Sequence, residues 1–349
     1  MDAGAGMTAV LAIREPGPAT TVQDAGRPGL QRFGVPPSGA LDRESLALAN
    51  ALVGNPPDVA ALEARYAGPD LTVEGGPALI ALAGPAAGLR VTLPGETPRE
   101  VPPAASVRVP AGTRVTVRPG REGCTWYLAV GGGFALAPAL GALATYARAG
   151  LGGFEGRPLR AGDRVPLRGD AGAPERAVTP PPPPASPHPI RVVLGPQQDA
   201  FTDAALALFL ATEWQVGQAA DRMGVRLEGP ELTHVRGHDI VSDGIFTGSI
   251  QVPGTRRPIL LLADRQTTGG YPKIATAISA DLPRLGQARV GDRIRFEAVT
   301  AAEAVQAARR AARSLEARLA AVAAARTGPP DAARLLSENL ISGVVSMHD

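Results

Sequence analysis

LRAGDRVPL (Leu159–Leu167) and ARVGDRIRF (Ala288–Phe296) are the two stretches whose reading decides the fold. In both, Gly-Asp supplies a tight turn, and the alternating residues after it read as a closing strand. Upstream of each lies an apolar strand followed by a Gly-rich loop, YLAVGGGF (Tyr127–Phe134) and ILLLADRQTTGG (Ile259–Gly270). The repeat predicts a tandem duplication of one all-β unit.

Between the halves runs GDAGAPERAVTPPPPPASPHP, Gly169–Pro189. Its consecutive prolines, Pro180 to Pro184, donate no backbone hydrogen bonds and favour an extended spacer. This predicts a first β domain over 7–168, a linker over 169–189, a second β domain over 190–299, a helix over 300–326 and a loosely ordered tail over 327–349. The patterned sequence begins at Met7, which is read as the candidate start.

Further strands are expected at Val10–Arg14, Leu71–Val73, Ala78–Ala83, Arg90–Leu93, Ser106–Val109, Arg114–Val117, Arg191–Leu194, Arg226–Glu228, Asp239–Val241 and Ser249–Val252. Many short strands between Gly- and Pro-rich turns argue for barrels or sandwiches, so the fold class is mainly β with few short helices. Asp42 caps an expected helix running to Val53, which Gly54-Asn55-Pro56 ends. Thr202 caps another over Asp203–Ala211, with Phe201 and Leu206 placed as a hydrophobic staple. The Ala-rich run after Thr300 is helical by propensity. It sets Val305, Ala308, Ala312, Leu315, Leu319 and Val322 on one face, either against its own domain or for a partner.

Composition narrows the function. The formal net charge is only +2 and aromatics make up 4% of residues, with no basic run interleaved with aromatics, so a nucleic-acid surface is not expected. No apolar run approaches a membrane span, and the N-terminal residues lack the pattern of a signal peptide. A cytoplasmic protein is expected. The single cysteine, Cys124, sits in an apolar strand and reads as a core residue rather than a nucleophile.

Three constellations carry chemistry. The first follows the strand at Ile259–Ala263: Asp264, Arg265 and Gln266, then Thr267, Thr268, Gly269 and Gly270, then Lys273, the only lysine among the 35 Lys and Arg residues. Backbone N–H groups of the Thr-Thr-Gly-Gly turn can form an anion-binding nest. Lysine offers a compact, tunable charge that guanidinium does not. The alternative is that one lysine must fall somewhere. The second constellation, Thr20 to Asn50, holds Gln23, Asp24, Arg27, Ser38 and Asp42. Either these converge on a ligand, or Asp42 merely caps its helix and Asp24 pairs with Arg27 across a turn. The third is Asp221-Arg222 before a strand, which also reads as a structural pair. His234 and His238 lack the neighbours a zinc site needs.

TTVQDAGRPG, GVPPSGALDRESLALANALVGN, GPQQDAF, ADRMGVRLEG, IQVPG and LLLADRQTTGGYPKI together resemble the KipA-like family, also called the biotin-dependent carboxyltransferase or allophanate hydrolase subunit 2 family. The resemblance spans about Met7 to Phe296. It implies two cyclophilin-like β-barrel domains. It also implies two partner subunits, one KipI-like and one LamB/YcsF-like. The implied reaction is ATP-dependent opening of 5-oxo-L-proline to L-glutamate, with Mg2+ accompanying ATP and the chain inactive alone. On that reading Lys273, Arg265 and the Thr267–Gly270 turn suit phosphoryl oxygens, and Gln266 orients the lactam. Asp24, Asp42, Asp221 or Asp264 holds a metal or acts as base. Two alternatives stand: a carboxyltransferase component served by a biotinylated carrier and acting on urea or a small amide, and a regulatory binding protein without turnover. The Pro-rich linker and the helix after Phe296 lie outside these motifs.

Overall fold

The structure is a computed structural model that describes residues 9–120, 122–169, 172–179 and 188–324. Met7, the prolines at 180–184 and the tail from 327 lie outside those residues. In the first half, a six-stranded antiparallel sheet runs in the order Arg164–Pro166, Val10–Glu15, Asp70–Glu74, Arg114–Arg118, Gly88–Thr92, Arg99–Val101. A five-stranded sheet runs Ala19–Gln23, Ala61–Arg65, Thr125–Val130, Ala78–Ala83, Ser106–Val109. Leu11, Leu62, Leu71, Ile80, Val115 and Trp126 belong to the core they share. Helix α1 (Arg43–Leu52) covers the other face of the five-stranded sheet, packing Leu46, Ala49 and Leu52 on Leu79, Ala81 and Ala129. Strands Ala78–Ala83 and Thr125–Val130 are therefore buried on both faces, which explains why both read as continuous apolar runs without alternation.

The second half is an eight-stranded sheet in the order Arg293–Ile294, Trp214–Ala220, Gly224–Glu228, Ile259–Leu261, Ser249–Gln251, Lys273–Ala277, Ile190–Leu194, Phe296–Ala298. Its outermost strands are consecutive in the chain, with only Arg295 between them. The sheet thus curls into a nearly closed barrel, leaving little free edge. Helix α2 (Asp203–Ala211), capped by Thr202 as expected, sends Phe209 inside to stack on Phe296 with centroids 4.7 Å apart. Phe201 and Leu206 both join that core.

Both Gly-Asp stretches close their sheets: Arg164–Pro166 pairs with Val10–Ala12, and Arg293–Ile294 with Trp214–Gln215. One expected strand fails. Residues Asp239–Val241 form no strand, and Val241 is 92% exposed; the ladder forms at Asp243–Gly244 instead. The expected spacer is in part an edge element. Arg176–Ala177 pairs with Ala323–Ala324, and Arg176 exchanges hydrogen bonds with Ser106.

Short helix α3 (Leu282–Gly286) makes one of the contacts between the halves, Gly286 O accepting from Thr125 Oγ1 at 2.7 Å. Helix α4 (Ala301–Ala320) opens with a reciprocal Thr300–Glu303 capping box and packs on α1, the turn at Ser279–Asp281 and strand Ile190–Leu194. The helix lies against its own chain on a face that overlaps the one expected: Ala308, Leu315, Leu319 and Val322 are partly buried, whereas Val305 and Ala312 are exposed and Ala307 is the buried residue. Among the described residues no helix is long and apolar enough to cross a membrane.

Candidate functional site

The loop between strand Ala19–Gln23 and α1 crosses the seam between the halves. Glycine makes its folding possible: a Cβ on Gly26 would lie 2.5 Å from the Pro37 carbonyl oxygen, and one on Gly39 would lie 2.6 Å from the Gly26 nitrogen. Arg27 N donates to Pro37 O and Ala40 N to Asp24 O, folding the loop back on itself. Ser38 N then donates to Ala263 O at 3.2 Å, joining the loop to the segment after strand Ile259–Leu261. Gln31 Nε2 reaches across to Ile245 O at 3.1 Å.

Arg265 shares that acceptor. Its Nη2 also donates to Ile245 O, at 3.1 Å, while Nε and Nη1 have no partner among the described residues. Arg265 is 1% exposed with no carboxylate of the described residues paired with it, and burial pushes the guanidinium down to about 10. A buried cation without a counterion is costly, and it creates demand for an anion. Nearby, Gln266 donates weakly to Gln251 Oε1 at 3.5 Å and leaves its own Oε1 unpartnered. Ser38 Oγ is likewise buried and has no partner among the described residues.

Asp264 faces the other way. Arg222 donates to it from Nε at 2.9 Å, to Gly39 O at 2.6 Å, and to Glu63 of the first half. Burial pulls the Arg222 guanidinium down, but Asp264 and Glu63 more than offset this and hold it above the usual arginine range. Glu63 Oε2 also accepts from Tyr127 Oη at 2.6 Å and Leu41 N at 3.0 Å. Tyr127 Oη in turn accepts from Asp42 N at 2.9 Å. Burial, then Glu63, pushes the phenol well above its usual value. One buried network thereby fixes Ser38–Asp42 against Asp264–Arg265.

Several expectations are corrected. Lys273 does not stand free as an anion ligand: it is 2% exposed, and its Nζ donates to Asp243 Oδ2 at 2.8 Å. The lysine hydrogen bond is the main reason the Asp243 carboxyl lies below its usual range. The Thr267–Gly270 turn is not a nest, because Thr268 and Gly269 pair as a strand with Gly244 and Asp243. Asp24 binds the Gly26 and Leu143 backbone N–H groups rather than pairing with Arg27. Arg27 bonds to Ala144 O, and burial is the main cause lowering its guanidinium. Gln23 is on a strand and donates to Thr145 O. Asp42 caps α1 through Ser45 N and accepts from Gln287 Nε2 at 2.8 Å; burial raises its carboxyl. Asp221 lies apart, exposed, closing a turn onto Met223 N and Gly224 N and pairing with Arg148 rather than Arg222.

Sequence reasoning missed Glu63, Tyr127, Gln31, Gln251 and Asp243. Glu63 had a signal: it is the lone carboxylate in the buried strand ALEAR. Among the described residues no group of three or more His, Cys, Asp or Glu side chains is placed to hold a metal ion.

The model of the carboxyltransferase domain, subdomain A and B, matches residues 33–298, the segment that contains Ser38, Glu63, Arg222 and Arg265. The chain belongs to the carboxyltransferase domain family. Among curated members, the C subunit of 5-oxoprolinase from Escherichia coli is 36% identical over 85% of this chain and 94% of its own length. Urea amidolyase of Lachancea kluyveri is 32% identical over 81% of this chain but 16% of its own length. The crystal structure of K. lactis urea amidolyase superposes with a TM-score of 0.80 at 28% identity, covering 90% of this chain. This chain spans only 20% of that multidomain protein. The carboxyltransferase fold is thus shared by sequence and by structure, and likeness to one component of 5-oxoprolinase relates this chain to part of an enzyme complex.

Proposed function

We propose that this chain is one component of an ATP-dependent 5-oxoprolinase, which opens 5-oxo-L-proline to L-glutamate in the cytoplasm with KipI-like and LamB/YcsF-like subunits. Likeness to the C subunit of 5-oxoprolinase over nearly its whole length supports the assignment. The observation that carries it is Arg265, a desolvated cation with two nitrogens that have no partner among the described residues, followed in the chain by Gln266, whose carbonyl oxygen is also unpartnered among them. 5-Oxoproline carries both a carboxylate to neutralise that charge and a lactam to meet Gln266. Urea carries no charge.

The lactam amide is unreactive, and phosphorylation of its carbonyl oxygen by ATP is a chemically reasonable activation. This chain contributes positioning, by holding the carboxylate at Arg265 with the lactam towards Gln266. Lys273 is occupied by Asp243, and the adjoining hairpin is paired. It therefore fits a triphosphate poorly, and we assign MgATP to one of the partner subunits.

A carboxyltransferase role with a biotinylated carrier is the second reading, favoured by the structural match to urea amidolyase. The test is to assemble the chain with the two partner subunits and measure ADP release. Release that requires 5-oxoproline, and is lost in Arg265→Met, is expected. No 5-oxoproline dependence in an intact assembly, with carboxyl transfer from carboxybiotin to urea instead, refutes the oxoprolinase reading.

A further inference from the structure

Lys273 sits where an apolar side chain would serve the fold better. It opens strand Lys273–Ala277 of the second barrel, is 2% exposed, and is the only lysine in the chain. A methionine would fill the same place without the cost of burying a charge. The ammonium finds its counterion on an otherwise exposed element: Asp243, whose side chain is 51% exposed, accepts from Nζ at 2.8 Å. Gln197 completes the arrangement, donating from Nε2 to the same Asp243 oxygen at 3.1 Å while its Oε1 accepts from Lys273 N at 3.1 Å.

Two residues beyond Asp243 comes the group that holds Arg265. Ile245 O accepts from Arg265 Nη2 and from Gln31 Nε2, both at 3.1 Å, and among the described residues it is the only partner of the Arg265 guanidinium. The direction of the remaining nitrogens, Nε and Nη1, therefore follows the position of one carbonyl. The segment that carries this carbonyl is thinly held. Its ladder with Thr268–Gly269 is two residues long, extended by Ile245 N to Thr267 O at 3.0 Å. Before it, residues 236–242 are exposed except for half-buried Ile240, whose N donates to Gly270 O. A ladder this short on exposed chain opens at low cost. The buried ammonium supplies the anchor that the ladder lacks, through the only side chain that strand Asp243–Gly244 has.

We propose that Asp243 is a positioning residue for substrate binding: its ion pair with Lys273 fixes the stretch 243–245, which sets Ile245 O against Arg265 and so orients the guanidinium for the carboxylate of the substrate. The identity of that substrate, 5-oxoproline, rests on the oxoprolinase reading. Asp243 makes no bond to Arg265; it acts through the backbone between itself and Ile245. The ammonium suits the task, since a compact head with three donors can hold a single carboxylate from an enclosed place.

The experiment uses Asp243→Ala alone and combined with Lys273→Met, which removes the orphaned ammonium as well. In the full chain, amide hydrogen exchange at Ile245 should quicken at least about tenfold in both variants. An amine-acetylating reagent, read by peptide mass mapping, should modify Lys273 at least about tenfold faster in Asp243→Ala than in the wild type. The melting temperature should fall in Asp243→Ala and return towards wild type in the double variant. In the assembly with its partner subunits, KM for 5-oxoproline should rise about 10- to 100-fold in both variants, while KM for ATP moves less than about threefold. A merely structural role predicts that KM recovers along with stability in the double variant, and that result overturns the proposal. So does a wild-type rate of exchange at Ile245 or of acetylation at Lys273, or a wild-type KM for 5-oxoproline, in Asp243→Ala. If the wild-type assembly ignores 5-oxoproline, the oxoprolinase reading falls on that control alone. Exchange at Ile245 then still decides for or against Asp243 as the residue that fixes the stretch.

Discussion

Replacing Arg222 by methionine removes a guanidinium that serves three acceptors at once: Asp264, Gly39 O and Glu63. Glu63 has a side chain only 1% exposed and Asp264 one 10% exposed, so water cannot take over the lost bonds. Breaking a buried ion pair from one side costs about 3–5 kcal/mol, because the remaining charge stays buried. Typical stabilities are about 5–15 kcal/mol, so the loss is a large share of the whole. At about 2–4 °C per kcal/mol for a unit of this size, the melting temperature should drop by about 10 °C. Urea denaturation of the full chain reads the free energy directly. Glu63→Gln in the same background should recover part of the loss, since it removes the orphaned charge. A double-mutant cycle then gives a coupling energy well outside experimental error. An Arg222→Met protein within about 1 kcal/mol of wild type, or a double variant with strictly additive losses, would refute the claim that this network holds the halves together.

Arg265→Met should abolish 5-oxoproline-dependent turnover while raising stability by on the order of 1–3 kcal/mol, because it removes an uncompensated cation; chemical denaturation checks the sign. Lys273→Arg should lower stability by about 1–3 kcal/mol, since a larger head must enter an enclosed slot beside Asp243; a melting curve matching wild type would contradict that packing. Burial raises the Asp42 carboxyl above its ordinary value of 3.8. In the window just above that value the folded state keeps a proton that the unfolded state releases, so stability falls as pH rises through it. Asp42→Asn keeps a cap acceptor and should flatten that decline; an unchanged slope upward from the ordinary carboxylate value would show that another group causes it.

The elements that were legible in sequence are those whose signals are local. Turn chemistry marked the Gly-Asp hairpins, and side-chain caps marked α1 at Asp42 and α2 at Thr202. Strands Ala19–Gln23 and Ala61–Arg65 were not legible. They bury Thr20, Thr21, Gln23, Glu63 and Arg65, so polar residues stand where a core pattern expects apolar ones. Trp214–Ala220 was hidden by glutamines and a glycine. The site divides in the same way. The Asp264–Arg265 position was readable as polar groups leaving an apolar strand. Their different partners were not, because Arg222 meets Glu63 from 159 residues away. Lys273 was noticed for its rarity, but nothing near it in sequence named Asp243 as the group that neutralises it.

The short ladder between Arg176–Ala177 and Ala323–Ala324 gives the chain an unusual closure. The polypeptide leaves the first half at Ala177, builds the entire second barrel, and comes back to the residues from which it departed. The second barrel is therefore a closed loop of chain, anchored at both its entrance and its exit. A protease cut between Val178 and Ile190 would sever the covalent path without freeing either fragment, and the two pieces should still migrate as one particle until denatured.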